Sequence, residues 1–176
     1  DEQTRVLMLT RRGFVRAGAR LQGAEAERLK AIKQRLAELG TRFTQNLLAD
    51  ERDWCMDLSE ADLQALPGFV QEAARAAGAE RDRGPVVTAS RSLIVPFLQF
   101  CPDRALRQRA FEAWTSRGAR GGETDNRAIA AAVLKLREDR AALLGHDTFA
   151  AYKLETELAG SPGAARHLLM PGWTPA

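Results

Sequence analysis

Apolar residues recur at helical spacing along most of the chain, and the clearest run lies in its first third. Its members are three or four residues apart, which places them on one face of a helix: Leu29, Ile32, Leu36, Leu39, Phe43 and Leu47. The pattern predicts a helix from about Ala24 to Arg52. Gly40 lies inside it and costs about 1 kcal/mol relative to alanine. One apolar stripe cannot bury itself, so other helices are needed to cover it.

Capping residues and glycines divide the other apolar runs into further helices. The predicted segments are residues 1–17, 60–66, 69–77, 93–100, 103–117, 124–144, 148–158 and 161–170. Pro96 falls in the first turn of its segment, where proline is tolerated. The 124–144 helix carries Arg140 as a polar exception on its apolar side. The helix after Asp103 is expected to bury Leu106, Ala110, Phe111 and Trp114.

Two short segments have strand character, and the rest of the chain favours helix. Residues 53–58 alternate weakly and residues 85–89 are β-branched, so they are candidates for one two-stranded ribbon. Residues 171–176, which contain Pro171 and Gly172, are expected to break the last helix. The sequence therefore predicts an all-α fold in a single helical domain over residues 1–176. About 70% of the residues are expected to be helical, whereas the average globular protein has roughly a third of its residues in helices.

Composition and charge narrow the function classes only a little. The chain is 45% hydrophobic and 28% charged, with a net charge of +3. That excess is small beside 26 Lys+Arg and 23 Asp+Glu, which favours a solvated surface over a nucleic-acid face. A basic stretch with two aromatic residues, Phe111 and Trp114, carries the alternative of a helical nucleic-acid-binding module: Arg104, Arg107, Arg109, Arg117 and Arg120. Helical spacing of the aromatics favours packing instead. No apolar run approaches the 18 or so residues of a membrane span.

The sequence offers no complete metal site or nucleophile motif. A helical zinc hydrolase motif reads His-Glu-x-x-His, whereas the two histidines, His146 and His167, lie far apart and outside such a motif. Cys55 and Cys101 are too widely spaced for a C-x-x-C site, and their apolar neighbours predict buried, inert thiols. We therefore expect no catalytic, cofactor-binding or metal-binding residue in this chain.

Two polar segments are candidate sites, but their composition favours ordinary surface. Asp50, Glu51 and Asp53 cluster at the end of the long helix, where a solvated turn is favoured over a pair of acid/base carboxylates. Residues 118–122 are glycine-rich but lack the Gly-Lys-Ser/Thr of a P-loop, so they predict a flexible connector. No G-x-S-x-G elbow is present, although a Ser-His-Asp triad assembled in space stays open.

Seven segments, taken in order, resemble the thimet-oligopeptidase-like zinc metallopeptidases, especially bacterial peptidyl-dipeptidase and oligopeptidase A. They are FVRAGA (14–19), LGTRFTQNLLADE (39–51), PFLQF (96–100), RAFEAW (109–114), DNR (125–127), LLGH (143–146) and FAAYKL (149–154). The resemblance covers about residues 12–170 and implies part of a helical, two-lobed shell around a channel. It also implies short peptides as substrates of the full-length enzyme and a cytoplasmic location.

The same resemblance implies a zinc ion held by His-Glu-x-x-His and a downstream Glu, none of which has a position in this chain. The sequence is therefore expected to be a non-catalytic helical portion of such an enzyme, truncated at both ends. The expected partners are a second copy of the chain or the missing C-terminal half, and neither nucleic acid nor a membrane. A stand-alone helical binding module, for nucleic acid or a protein, is the alternative.

Overall fold

The structure, a computed structural model, describes residues 1–173 and confirms the mainly helical fold class. Helices hold 69% of the described residues, and two strands form one small sheet. In chain order the elements are α1 (Glu2–Arg16), α2 (Gly23–Asp53), β1 (Cys55–Asp57), α3 (Glu60–Gln64), α4 (Gly68–Ala79), β2 (Val86–Thr88), α5 (Arg91–Phe100), α6 (Arg104–Thr115), α7 (Arg127–Leu143), α8 (Phe149–Leu154) and α9 (Pro162–Trp173). Within residues 1–173, no helix is long and apolar enough to cross a membrane.

The chain divides into two compact units, whose boundaries fall within α2 and α7. Unit 1 comprises residues 1–40 and 131–176, and unit 2 comprises residues 41–130. The expectation of a single helical domain stays a prediction.

Unit 2 is built around the predicted ribbon. β1 pairs with β2 in antiparallel register, with Met56 opposite Val87. The ribbon continues into Leu58, whose N–H donates to the carbonyl of Pro85 at 3.0 Å. Helices α4 and α5 pack on β2, and α5 packs on α6. The buried core is apolar: Met56, Leu58, Leu63, Leu66, Val70, Ala74, Val87, Leu93, Ile94, Phe97, Cys101 and Ala110. A two-stranded ribbon is marginal alone, so this helical cover makes it stable.

Polar side chains begin the helices of unit 2 where the sequence places them. Ser59 accepts from the N–H of Asp62, whose carboxylate accepts from the N–H of Ser59, which completes a capping box. Asp103 accepts from the N–H of Leu106 at 2.8 Å and caps α6. α5 begins at Arg91, two residues earlier than predicted, because the Ser90 carbonyl accepts from Leu93 and Ile94. Pro96 therefore lies in the second turn of α5, not the first.

In unit 1, Tyr152 of α8 connects the ends of α1 and α7 through polar and ring contacts. The Tyr152 hydroxyl donates to the carbonyl of Arg16 at 3.3 Å and accepts from Arg140 at 3.1 Å. The Arg16 guanidinium lies 4.5 Å above the Tyr152 ring and forms an ion pair with Glu155. Arg140, predicted as a polar exception on an apolar face, thus contacts a buried tyrosine. The ends of α1 and α7 are both held to α8 through one aromatic side chain.

Three predictions about helix faces and ends are wrong. α8 ends at Leu154 instead of continuing to residue 158, and Leu158 is fully exposed. Phe111 is 54% exposed, because the buried stripe of α6 runs through Ala110 and Ala113 and leaves Phe111 roughly a third of a turn away. α9 continues through Pro171 to Trp173, although a break was expected at Pro171. Proline removes one N–H donor, and this close to the end of the helix few further bonds depend on it. The prediction for residues 174–176 lies outside the described residues.

A close approach of backbone at Gly78 gives a direct test of the packing in unit 2. A Cβ placed on Gly78 would overlap the carbonyl oxygen of Gly84, whereas one placed on Gly40 in α2 meets nothing within 4 Å. We expect Gly78→Ala to lower the free energy of unfolding by about 1–3 kcal/mol, as overpacking does. Gly40→Ala is the matched control and should raise it by up to about 1 kcal/mol. Urea denaturation of both variants measures the difference, and equal effects would contradict the close packing at Gly78.

Candidate functional site

The most distinctive polar feature of unit 2 is a buried carboxylate at the end of α2. Asp50 is only 7% exposed, and each of its oxygens accepts one hydrogen bond. The N–H of Gly118 donates to Oδ2 and the hydroxyl of Thr124 donates to Oδ1, both at 2.7 Å. A buried charge is costly unless it is hydrogen-bonded or paired, and here both oxygens are satisfied.

The segment that satisfies Asp50 is a tightly held turn between α6 and α7. Gly118 is buried with a φ of +69°, a conformation that favours glycine. Its carbonyl accepts from the N–H of Asn126 at 2.7 Å. The Asn126 side chain donates to the carbonyl of Phe43 at 3.0 Å and accepts from the Asn46 amide at 2.9 Å. The two ends of the turn are therefore bonded to successive turns of α2. We call Asn46, Asp50, Gly118, Thr124 and Asn126 the Asp50 network.

Burial, two hydrogen bonds and two nearby arginines together determine the ionisation of Asp50. Burial opposes ionisation, but the hydrogen bonds from Gly118 and Thr124 and the positive charges of Arg120 and Arg117 outweigh it, so the pKa of Asp50 lies below its ordinary value. Arg117 also forms an ion pair with Glu51 and lies 5.3 Å from the centre of the Trp114 ring. An ionised carboxylate whose oxygens both accept protein donors serves as an anchor rather than as a proton acceptor for a substrate.

Two interpretations of this region are thereby corrected. The solvated turn expected for the acidic cluster holds for Asp53, which is exposed and pairs with Arg52, but not for Asp50. The connector at 118–122 was predicted to be flexible, but its first residue, Gly118, is held by hydrogen bonds with Asp50 and Asn126. One local signal indicates this turn. A glycine followed closely by Thr-Asp-Asn offers a turn with several polar side chains.

The histidines and cysteines are not assembled into a common site. Among residues 1–173, no group of three or more His, Cys, Asp or Glu side chains is arranged to hold a metal ion. His146 contacts the edge of the Tyr152 ring and lies 3.9 Å from Glu155, while His167 is exposed on α9. Cys101 is buried as predicted, and burial raises the pKa of its thiol. Cys55 is only half-buried, contrary to the prediction. Arg83 donates to its Sγ at 3.0 Å and also pairs with Asp57.

Three arginines of the basic stretch in and after α6 donate hydrogen bonds to backbone carbonyls of the chain. Arg107 donates to the carbonyls of Cys101 and Pro102, at 2.6 and 2.8 Å. Arg117 and Arg120 donate to the backbone carbonyls of Trp114 and Ala113, which lie near the end of the same helix. These three guanidinium groups satisfy helix-end carbonyls, which favours packing over a nucleic-acid face. Arg104 and Arg109 are exposed. A shallow groove of about 570 Å³ lies between β1 and α6, lined by Trp54, Cys55, Arg109 and Glu112 among others.

Comparison with known proteins gives the chain its family. Residues 97–171 match the model of Peptidase family M3. Dipeptidyl carboxypeptidase of Escherichia coli is 31% identical over 177 residues, covering 96% of this chain and 25% of that enzyme. The chain belongs to peptidase family M3. Oligopeptidase A of Salmonella typhimurium is 31% identical over 86% of this chain and 23% of its own length. A probable cytosolic oligopeptidase A of Arabidopsis thaliana is 31% identical over 92% of this chain and 25% of its own length.

The chain spans about a quarter of the length of the curated relatives that it matches. The M3 family is zinc-dependent, and the described residues show no metal-binding group. The hydrogen bonds and ion pairs described above hold helices to one another within each unit.

The Asp50 network predicts a stability loss with a definite pH dependence. Asp50→Ala leaves the N–H of Gly118 buried without its acceptor and should cost about 1–3 kcal/mol. The folded-state pKa of Asp50 is depressed, so its contribution is present above the unfolded value near 4 and is lost as the pH falls through the folded value. Urea denaturation at neutral pH and at about pH 3 checks both points.

Asp53→Ala is the matched control, because it removes an exposed carboxylate from the same end of α2. It should change the free energy of unfolding by less than about 0.5 kcal/mol at either pH. Equal losses for the two alanine variants at neutral pH would mean that Asp50 does not anchor the turn.

Proposed function

We propose that this chain forms a non-catalytic helical part of an M3-type zinc peptidase that hydrolyses short peptides. One observation carries the proposal: the chain is 31% identical to dipeptidyl carboxypeptidase along 96% of its own length, but covers only 25% of that enzyme. The similarity extends over both units, so it concerns the whole helical arrangement rather than one motif. In this proposal the chain forms part of the wall of a channel, and the channel restricts the size of the substrate.

The internal chemistry of the chain supports a structural role. The charged side chains that are buried or half-buried, such as Asp50, Arg117 and Arg16, are occupied by ion pairs and hydrogen bonds within their own unit. No catalytic or metal-binding residue is assigned here. Zinc and the groups that activate water would be supplied by parts of the enzyme outside the matched quarter.

The proposal includes the peptide substrates and the location of the parent enzyme. Relatives named as a dipeptidyl carboxypeptidase and oligopeptidases support short peptides as its substrates. A cytoplasmic location is supported by the Arabidopsis relative named as cytosolic, whereas another Arabidopsis relative is named as chloroplastic and mitochondrial. Which peptide bonds are cut depends on side chains that face the channel.

A chimera tests the proposal. The segment of the E. coli dipeptidyl carboxypeptidase that matches this chain is replaced by residues 1–176, and hydrolysis of a short peptide is measured in the presence of zinc. We expect activity within about tenfold of the parent enzyme, since a tenfold change corresponds to only about 1.4 kcal/mol. The Asp50→Ala chimera should lose thermal stability, and the Asp53→Ala chimera should not. A chimera that folds but has lost all hydrolysis would contradict the proposal.

The isolated chain gives the complementary prediction. Two separated histidines and two separated cysteines do not make a zinc site, so we expect no stoichiometric zinc and no peptide hydrolysis. Elemental analysis after dialysis and a peptide assay on protease-free protein measure both. One tightly held zinc per chain would contradict the first expectation, and metal-dependent cleavage would show that this segment is catalytic on its own.

A further inference from the structure

We infer that one face of α1 is a docking strip for an acidic amphipathic helix of a partner polypeptide. α1 is fifteen residues long and contains no buried residue, although five of its large apolar side chains are between 44% and 69% exposed: Val6, Leu7, Met8, Leu9 and Phe14. Isolated helices of this length are marginal in water. Contact with another element is therefore what would hold most of α1 helical.

The arrangement of charge on α1 indicates the chemistry of that element. Met8 and Val15 are seven residues apart and share one side of the helix. Arg5 and Arg12, also seven apart, flank them on one side, and Arg11 flanks them on the other. Together with Arg20 these side chains line a shallow groove of about 840 Å³. An apolar seam with cations along its edges is the pattern that pairs with a second helix carrying an apolar seam and acidic edges.

The cations of this groove are not occupied within the described chain. Of the ion pairs formed among residues 1–173, those of unit 1 use Arg16, Arg28, Lys30, Arg35, Lys135 and His146, and none uses Arg5, Arg11, Arg12 or Arg20. The one carboxylate that lines the groove, Asp1, accepts from the N–H of Thr4 as the cap of α1. Acidic side chains from a partner would therefore meet free guanidinium groups, which favours recognition and orientation.

A protein helix fits this strip better than a lipid surface. An interfacial helix has one broad apolar face and a cationic face opposite. On α1 the arginines instead border the Met8–Val15 seam on both sides, and Leu7 and Phe14 lie on a different side of the helix. A second copy of the chain fits less well, because its own α1 presents the same positive charge. This inference rests on the proposed function, in which the partner helix belongs to the remainder of the peptidase.

The test uses the full 176-residue chain and a labelled synthetic peptide of roughly three heptads with Leu at the seam and Glu at the edges. The same peptide with Lys in place of Glu is the control probe. Fluorescence anisotropy should show binding of the Glu peptide, with at least about tenfold weaker binding of the Lys peptide. Affinity for the Glu peptide should fall as salt is raised to about 0.5 M, because the contacts are partly screened.

Three variants assign the binding to α1. The double variant Arg5→Glu/Arg12→Glu and the single variant Met8→Glu should each weaken binding of the Glu peptide by about tenfold or more, that is by at least ~1.4 kcal/mol. The matched control, Arg104→Glu/Arg109→Glu, changes the net charge equally on exposed arginines of α6 and should leave binding unchanged. Circular dichroism confirms that each variant is folded.

Several outcomes would overturn the inference. They are equal binding of the two peptides, binding that is insensitive to the α1 variants, self-association that Met8→Glu abolishes, and binding to anionic vesicles but not to the peptide. The chimera separates this inference from the proposed function. If the chimera is active but the chain binds no peptide, the proposed function is supported and the docking strip is contradicted. If the chimera is inactive but the chain binds the Glu peptide specifically, the proposed function is contradicted and the docking strip is supported.

Discussion

A buried carboxylate needs hydrogen-bond donors for both of its oxygens. In unit 2 this requirement determines how the turn between α6 and α7 packs against α2. Asp50 takes one donor from the backbone of Gly118 and one from the side chain of Thr124. The turn between α6 and α7 is thereby held against the end of α2, and Asn126 bonds to Asn46 and Phe43, one and two turns earlier on the same helix. The apolar core around Phe97 and Leu63 is separate from this network in chemistry, but both belong to the same compact unit.

The two units show different degrees of internal burial. Unit 2 encloses a contiguous apolar core, whereas α1 and α9 of unit 1 contain no buried residue. Apolar surface is worth about 25 cal/mol per Å² when it is buried, so some 400 Å² left open forgoes roughly 10 kcal/mol, an upper bound. That figure is comparable with the whole stability of a typical domain. The proposed role as one part of a larger peptidase would account for such surface, since contacts with the other parts would cover it.

The sequence predicts local structure well and long-range polar contacts poorly. Periodicity placed α2 at 24–52, and the structure has it at Gly23–Asp53. The two β-prone segments do pair, and Ser59 does cap α3 with Asp62. All of these signals lie within a few residues of the elements they predict. Asp50 and Gly118 are 68 residues apart, and no local pattern distinguishes a carboxylate that will be buried from one that will be solvated.

The surroundings of Phe111 and Arg140 were also hard to predict, because they depend on contacts with other helices. Helical core spacing predicts that Phe111 is buried, but the buried residues of α6 are Ala110 and Ala113, and Phe111 is exposed. Arg140 was predicted as an exception on an apolar face, and its partner Tyr152 belongs to another helix.

Hydrogen exchange at the amide of Gly118 tests most directly the claim that a buried carboxylate fixes this turn. In the unaltered chain the N–H of Gly118 should exchange far more slowly than that of Gly122, which lies exposed in the same turn. In Asp50→Asn the acceptor charge is removed with little change in shape, and exchange at Gly118 should accelerate by at least about tenfold, equivalent to ~1.4 kcal/mol. Equally fast exchange at Gly118 and Gly122 in the unaltered chain would contradict the account.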